Sequence, residues 1–339
     1  MPDAALPIQD KSPSGAGRAV ESIVVICTKN RADEVEMSCT AAHAASPDLP
    51  ILVVDASADG ATEDACERLK RRHGQALKLT HRYARQAGLA RQRNEAIDIC
   101  RGLGCRLIHF IDDDTEVASG YFTAIESRFR RDPSVMGVGG VIVNQPRVTF
   151  LTLKRVFMLA SRRRSSVLRS GRNMLGQYPG TSASDRVEWL NGCSMSYRSS
   201  AFSELRFDGR LEGASLGEDY DFSFRLSRRH KLAVEPSAEC VHHLAPSSRY
   251  SRREHARQRT QIIHRRVCEW RHLGLSRAAF WWSVFGDLML RGGYGVVRAD
   301  GESLEEALGV AAGVAGIVHH RRRRKMRPGA VLPTAGDEA

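Results

Sequence analysis

The run Leu107, Ile108, His109, Phe110, Ile111 ends in three consecutive aspartates, Asp112, Asp113 and Asp114. Carboxylates crowded in this way repel one another. Protonation of one of them, full hydration or a divalent cation held through oxygen relieves the repulsion. A purely local alternative is an acidic turn capping a helix that starts near Val117. A second acidic group, Glu218, Asp219 and Asp221, opens a segment whose Phe222, Leu226 and Phe224 suit the apolar side of a helix over Leu216 to Arg229. Ser215, three residues ahead of Glu218, has the spacing of a capping box, which accounts for Glu218 and leaves Asp219 over. His242 and His243 close an extended run, and a neutral imidazole there can join carboxylates around a cation.

The elements that must position these groups alternate. Ser22 to Cys27 is an apolar run that stops at Thr28, Lys29, Asn30 and Arg31, as expected of a strand buried on both faces and followed by a loop. A helical stretch to about Ala45 follows, then a strand over Ile51 to Val54 ending at Asp55, and a helix over Thr62 to His73 stopped by Gly74. Leu77 to His81 reads as a third strand. A turn at Gly88 and a helix through Arg91, Asn94 and Ile97 to Cys100 lead into the strand that carries the aspartates. The order β-α-β-α-β-α-β predicts a mostly parallel, Rossmann-like α/β sheet with helices on both sides. Thr28, Arg31, Asp55 and Asp112 to Asp114 then share one rim, where such sheets bind ligands. On an extended strand end, Asp112 and Asp114 point to one side and Asp113 to the other.

After residue 132 the alternation stops. Val135 to Val143 reads as a strand interrupted by glycine, Phe150 to Arg172 is strongly basic, and Val187 to Tyr197 reads as a strand. An extended piece from Leu232 to His243 leads into a long basic helix over Arg252 to His272. The organisation expected is a tail over 1–20, an α/β half over 21–132, and a second half of the same domain over 133–250. A helical extension over 251–325 and a tail over 326–339 complete it.

The 339 residues carry 51 Lys and Arg against 39 Asp and Glu, a formal charge of +12 that favours a polyanionic partner. The eight cysteines form no CxxC pair and read as reduced thiols of a cytosolic protein. Residues 1–20 lack the apolar core of a signal peptide, and no stretch approaches the roughly 18 apolar residues of a membrane span.

Six motifs in order carry a resemblance. They are VVICTKNR at Val24 to Arg31, VVDASADG at Val53 to Gly60, QAGLARQRNEAI at Gln86 to Ile97, FIDDDTEV at Phe110 to Val117, WLNGCSMSYR at Trp189 to Arg198, and GEDYDFSFRL at Gly217 to Leu226. The span from about Ile23 to Ser248 resembles a family 2 glycosyltransferase of the GT-A fold, non-processive and inverting. That resemblance implies transfer of one sugar from a nucleotide-diphosphate sugar to an acceptor hydroxyl, in cell-surface polysaccharide, glycolipid or natural-product glycosylation. Mn²⁺ or Mg²⁺ would be held by Asp112 and Asp114 with His242, or with His243 in its place. Donor contacts would fall to Thr28, Arg31, Asp55, Arg93, Asp112 and Asp113. A carboxylate such as Asp55 suits the imide N–H of uracil or thymine, hence a UDP- or dTDP-sugar, and Arg31 and Arg93 suit a base face or phosphate. Trp189, Gly192 and Glu218 would lie on the acceptor side, with Asp219 as the general base.

The chain departs from the family pattern at Cys27 and Lys29, which weakens base stacking at that wall. It also lacks the QxxRW signature of processive synthases. Two other readings compete. A non-catalytic nucleic-acid or polyanion binder would use the arginine clusters at 162–164 and 321–324, but gives no reason for acids gathered at strand ends. A sugar-nucleotide pyrophosphorylase would need a GxGxR loop where Thr28, Lys29 and Asn30 stand. Near the C-terminus, Phe280, Trp281, Trp282, Phe285 and the basic run Arg321 to Lys325 fit either a helix on the inner face of an anionic membrane or ordinary core packing followed by a solvated tail.

Overall fold

The computed structural model describes residues 21–145, 151–174, 176–180, 187–211, 216–243 and 251–326. Its first half is the predicted alternation: β1 (Ser22–Thr28), α1 (Ala32–Ala45), β2 (Ile51–Asp55), α2 (Ala61–His73), β3 (Leu79–Tyr83), α3 (Leu89–Gly102) and β4 (Leu107–Asp112). β1 pairs in parallel with β2 and β4, and β2 with β3. Registers Thr28 to Asp55 and Cys27 to Asp112 bring these strand ends level on one rim.

Period-two patterning decides which face each strand residue serves. Val24 and Ile26 of β1 join Ile51 and Val53 under α1, α2 and a fourth helix, α4 (Tyr121–Arg131). Ile23, Val25 and Cys27 join Leu52 and Val54 on the opposite face, under α3. Because both faces are covered, the strands read as continuous apolar runs rather than alternating ones.

The second half extends the same sheet. β5 (Thr115–Val117) is a short strand where the capping alternative placed a helix start, and α4 begins only at Tyr121. After β6 (Val135–Ile142) and α5 (Leu151–Val156), the strand expected over Val187 to Tyr197 reduces to β7 (Met195–Arg198). An isolated bridge pairs Val187 with Leu232. α6 (Ala201–Glu204), α7 (Glu218–Ser227) and β8 (Lys231–His242) follow. The sheet order is β3-β2-β1-β4-β7-β6-β8-β5, with β7 antiparallel to both β4 and β6.

Three helices follow among the described residues: α8 (Arg252–Glu269), α9 (Arg277–Arg298) and α10 (Gly301–Met326). They form a third apolar cluster with Trp189, Tyr220 and Phe224. Helix α7 is therefore wedged between two cores, Phe222 and Leu226 facing the sheet and Tyr220 and Phe224 facing α8–α10. Phe224 does not share the face of Phe222, contrary to the sequence reading. The capping box fails as well: the N-cap of α7 is Gly217, at φ 77°, so Glu218 is the first helical residue and not the third. Ser215 lies outside the described residues.

All eight cysteines are free thiols, seven of them buried. Among the described residues no helix is long and apolar enough to cross a membrane.

Two strands meet with almost no space between them at Gly140. A Cβ there would stand 2.4 Å from the Ala238 carbonyl oxygen and 2.6 Å from the Tyr121 ring. Gly140→Ala should cost about 1–3 kcal/mol as an overpacking change. Gly102→Ala, where a Cβ meets nothing within 4 Å, should cost nothing. Urea unfolding midpoints of the two variants check this pair of expectations.

Candidate active site

The rim assembles from strand ends and one helix start. Asp112 ends β4, and Asp113 and Asp114 turn out of the strand. Asp113 folds back beneath the rim, accepting from Thr28 Oγ1 at 2.6 Å and Arg31 Nη1 at 2.9 Å. Burial pushes its carboxyl up to about 6, against the pull of Thr28 and Arg31. The same Arg31 Nη1 reaches Asp114 Oδ2 at 3.1 Å, so the clean separation expected of an extended strand end does not hold: the chain turns at Asp113 and Asp114, and Arg31 bridges the two.

β8 delivers the imidazole. Thr115 of β5 pairs with His242 in antiparallel register, and the His243 backbone N–H donates to the Asp114 carbonyl at 2.8 Å. His242 Nε2 thereby stands 3.0 Å from Asp114 Oδ1. Apart from that imidazole, the buried oxygen has no partner among the described residues. Burial raises the Asp114 carboxyl, and His242 and Arg31 more than offset it, leaving it below its ordinary range. His243 points elsewhere, its Nε2 on Glu116 at 2.9 Å. One ligand atom each from Asp112, Asp114 and His242 lies within 4.8 Å of the other two.

Arg93 ties this cluster to the second acidic group. On α3, Ala90, Arg93, Ile97 and Cys100 share the buried helix face, so a guanidinium enters the core where an apolar residue would ordinarily sit. Its Nη2 donates to Asp112 Oδ1 at 2.7 Å and to the Gly192 carbonyl at 3.3 Å, and its Nη1 contacts Glu218 Oε1. The rings of Phe110 and Phe207 flank it at 5.9 and 5.7 Å. Burial pushes the Glu218 carboxyl up to about 8, opposed by Arg93. Gly192 packs closely on the clamp: a Cβ there would stand 3.2 and 3.3 Å from the terminal nitrogens of Arg93, tighter than ordinary contact.

Asp219, next along α7, is partly exposed. Its Oδ2 accepts from the Gly192 N–H at 2.9 Å and its Oδ1 from the Tyr220 N–H at 2.6 Å, which fix the carboxylate plane. Burial raises its pKa, opposed by the Tyr220 N–H, Arg93 and the Gly192 N–H. From behind, the fully buried Arg266 of α8 contacts Asp221, reaches the Gly217 carbonyl at 3.3 Å, and lies over Tyr220 and Trp270. Asp221 and Arg266 thus seat the helix that presents Asp219, a coupling that sequence reading missed because the partners are 45 residues apart.

Three expected residues face elsewhere. Asp55 is 0 % exposed, its Oδ1 taken by the Ser57 N–H and hydroxyl and its Oδ2 by His81 Nε2, so it meets no open cleft. Arg93, 1 % exposed, is an internal clamp and not a platform for a base. Trp189 donates from Nε1 to the Met174 carbonyl at 2.7 Å and packs with Tyr220 inside the helical core. Thr28 is spent on Asp113, while Arg31 keeps part of its side chain exposed.

Five carboxylates, Asp112, Asp113, Asp114, Glu218 and Asp219, are thus matched by two guanidinium groups and one imidazole. The oxygen and imidazole ligand atoms that converge from Asp112, Asp114 and His242 suit a divalent cation. Residues 23–191 match the family model described as glycosyl transferase family 2. The chain belongs to glycosyltransferase family 2. The matched span ends one residue before Gly192, so Glu218, Asp219 and His242 lie beyond it.

A search of curated proteins finds no match. Among solved structures, the chain is similar to the mannosyltransferase PcManGT from Pyrobaculum calidifontis, in complex with GDP-Man and Mn²⁺. Identity is 18 %, coverage 91 % of this chain and 81 % of that one, and the TM-score 0.53. It also aligns with residues 1–349 of S. aureus TarS in complex with UDP-GlcNAc, at 13 % identity, 86 % and 79 % coverage and a TM-score of 0.49. At 18 % identity the likeness to the mannosyltransferase is one of fold, the GT-A arrangement expected from the motifs.

Replacing Arg93 should show how far this clamp carries the enzyme's stability. Arg93→Leu leaves Glu218 and Asp112 without their shared cation and should cost about 3–5 kcal/mol. Removing the stranded acid as well, in Arg93→Leu with Glu218→Leu, should recover part of the loss. Urea titrations of the three proteins read the outcome, and an unchanged midpoint for Arg93→Leu alone would show that the clamp does not matter to folding.

Proposed function

We propose that this glycosyltransferase moves one sugar from a nucleotide-diphosphate sugar to an acceptor hydroxyl with inversion at the anomeric carbon. The observation that carries the reading is the convergence of Asp112, Asp114 and His242 within one cation's reach, joined through Arg93, Glu218 and Gly192 to the carboxylate of Asp219. Mn²⁺ or Mg²⁺ held by those three side chains would supply positive charge against the diphosphate as it departs.

The chain's own groups do the rest. Asp219 accepts the acceptor's hydroxyl proton on a lone pair left over from its two backbone hydrogen bonds, and its raised pKa makes it a stronger base than an ordinary aspartate. The acceptor oxygen forms its bond to the anomeric carbon as the carbon–oxygen bond to the diphosphate breaks on the opposite face. Arg31, partly exposed beside Asp113 and Asp114, is placed to pair with a donor phosphate. We assign the nucleoside as uridine or thymidine on the position of Asp55 at the end of β2. Meeting an imide N–H there requires Ser57 or His81 to yield. The acceptor is a lipid-linked, polysaccharide or small-molecule hydroxyl.

Calorimetry with UDP should show affinity that strengthens when Mn²⁺ is added, and Asp114→Ala should abolish the gain. Absence of metal-dependent affinity for any nucleoside diphosphate, with Asp114→Ala indistinguishable from the parent, would sink the reading. Once a donor is in hand, Asp219→Asn should lower kcat by about 10²–10⁴ while leaving UDP affinity with Mn²⁺ in place. Retained turnover in that variant would move the base elsewhere.

A further inference from the structure

Helix α9 has two distinct sides. Ala279, Phe280, Ser283, Val284 and Asp287 are buried against α8 and the loop after α5. Trp282, Phe285, Met289 and Val296, spaced to lie on one face, are 44, 50, 56 and 74 % exposed. Gly293, on the same face, has nothing near it that a Cβ would meet. Helix α5 widens this apolar strip. Trp282 Nε1 donates to the Val156 carbonyl at 2.8 Å, and the Phe157 ring lies 5.2 Å from Trp282 and 6.1 Å from Phe285. That contact sets Leu153 and Val156, 48 and 59 % exposed, beside the strip. A contiguous apolar surface of this kind marks an interaction site rather than scattered exposure.

Charge selects the partner. Residues 149–172 contain seven Lys and Arg and no Asp or Glu, and the single acid of α9, Asp287, is buried on Arg172 and Arg291. Arg155 on α5 and Arg298 at the end of α9 are exposed, and among the described residues neither pairs with a carboxylate. A second copy of this chain laid on the strip would set cations against cations. A bilayer with anionic headgroups offers apolar depth for the rings and phosphate for the arginines.

We propose that α5 and α9 seat the protein on an anionic phospholipid surface, with Trp282, Phe285 and Met289 entering the headgroup boundary and Arg155 and Arg298 flanking them. This seat is independent of the reading given to the rim. It divides the aromatic stretch 280–285 in a way the sequence left open: Phe280 is core, and Trp282 and Phe285 are surface.

The full-length protein should co-sediment with vesicles of phosphatidylcholine mixed with phosphatidylglycerol, less with phosphatidylcholine alone, and less as salt is raised. Phe285→Glu with Met289→Glu should lower partition to the mixed vesicles about tenfold or more with an unchanged unfolding midpoint, because both side chains are exposed. Arg155→Glu with Arg298→Glu should remove the preference for phosphatidylglycerol. Parental protein that stays in the supernatant overturns the proposal. So does Phe285→Glu with Met289→Glu binding like the parent, which would place any vesicle binding on another surface such as the basic run 321–325. Light scattering that shows a dimer dissolved by the same two substitutions, with no vesicle binding, would make the strip a contact between copies instead.

Discussion

A guanidinium in the core governs how this enzyme's rim is built. Arg93 is surrounded by Phe110 and Phe207 and reaches Asp112, Glu218 and the Gly192 carbonyl at once. A lone charge in such surroundings would be prohibitive, so the ion pairs and the residues that bear them must arrive together. One side chain on α3 thereby sets the distance between the end of β4 and the start of α7. These two segments are more than a hundred residues apart and hold, respectively, the candidate cation ligands and the candidate base.

The C-terminal helices complete that placement. Helix α7 has no side-chain cap at its start, and Gly217 leaves its first turn to be held by other elements. Arg266 supplies the hold from α8, through Asp221 and the Gly217 carbonyl, with Tyr220 and Trp270 beneath its guanidinium. Arg93 grips the same turn from the sheet side. The two arginines oppose each other across α7, which explains why the helix carries three acids in its first turn without the repulsion driving it apart. The candidate base is the one of the three that neither arginine contacts directly.

Much of the α/β half could be read along the chain. Doubly buried strands appear as unbroken apolar runs, helix faces as three- and four-residue spacings, and parallel order follows from their alternation. The second half resisted because its strands are short or irregular. β5 is a three-residue strand defined by its pairing with β8, and β7 is little more than a third of the length its apolar stretch predicts. Local patterning carries no record of a partner supplied from far along the sequence.

The candidate site divides in the same way. Asp112, Asp114, Asp219 and a histidine from 242–243 stand out by residue type at strand ends and a helix start, because acids gathered there have few structural uses. The choice of His242 over His243 belongs to the β5–β8 register, since neighbouring strand residues face opposite ways and only the pairing says which faces the acids. Burial likewise gives Arg93 and Trp189 internal partners, and leaves Asp55 to be freed from Ser57 or His81 before it can meet a ligand. An amino-acid type shows what chemistry a side chain can perform. Whether it meets solvent or the core depends on long-range packing, which the chain acquires only when both halves of the sheet close around it.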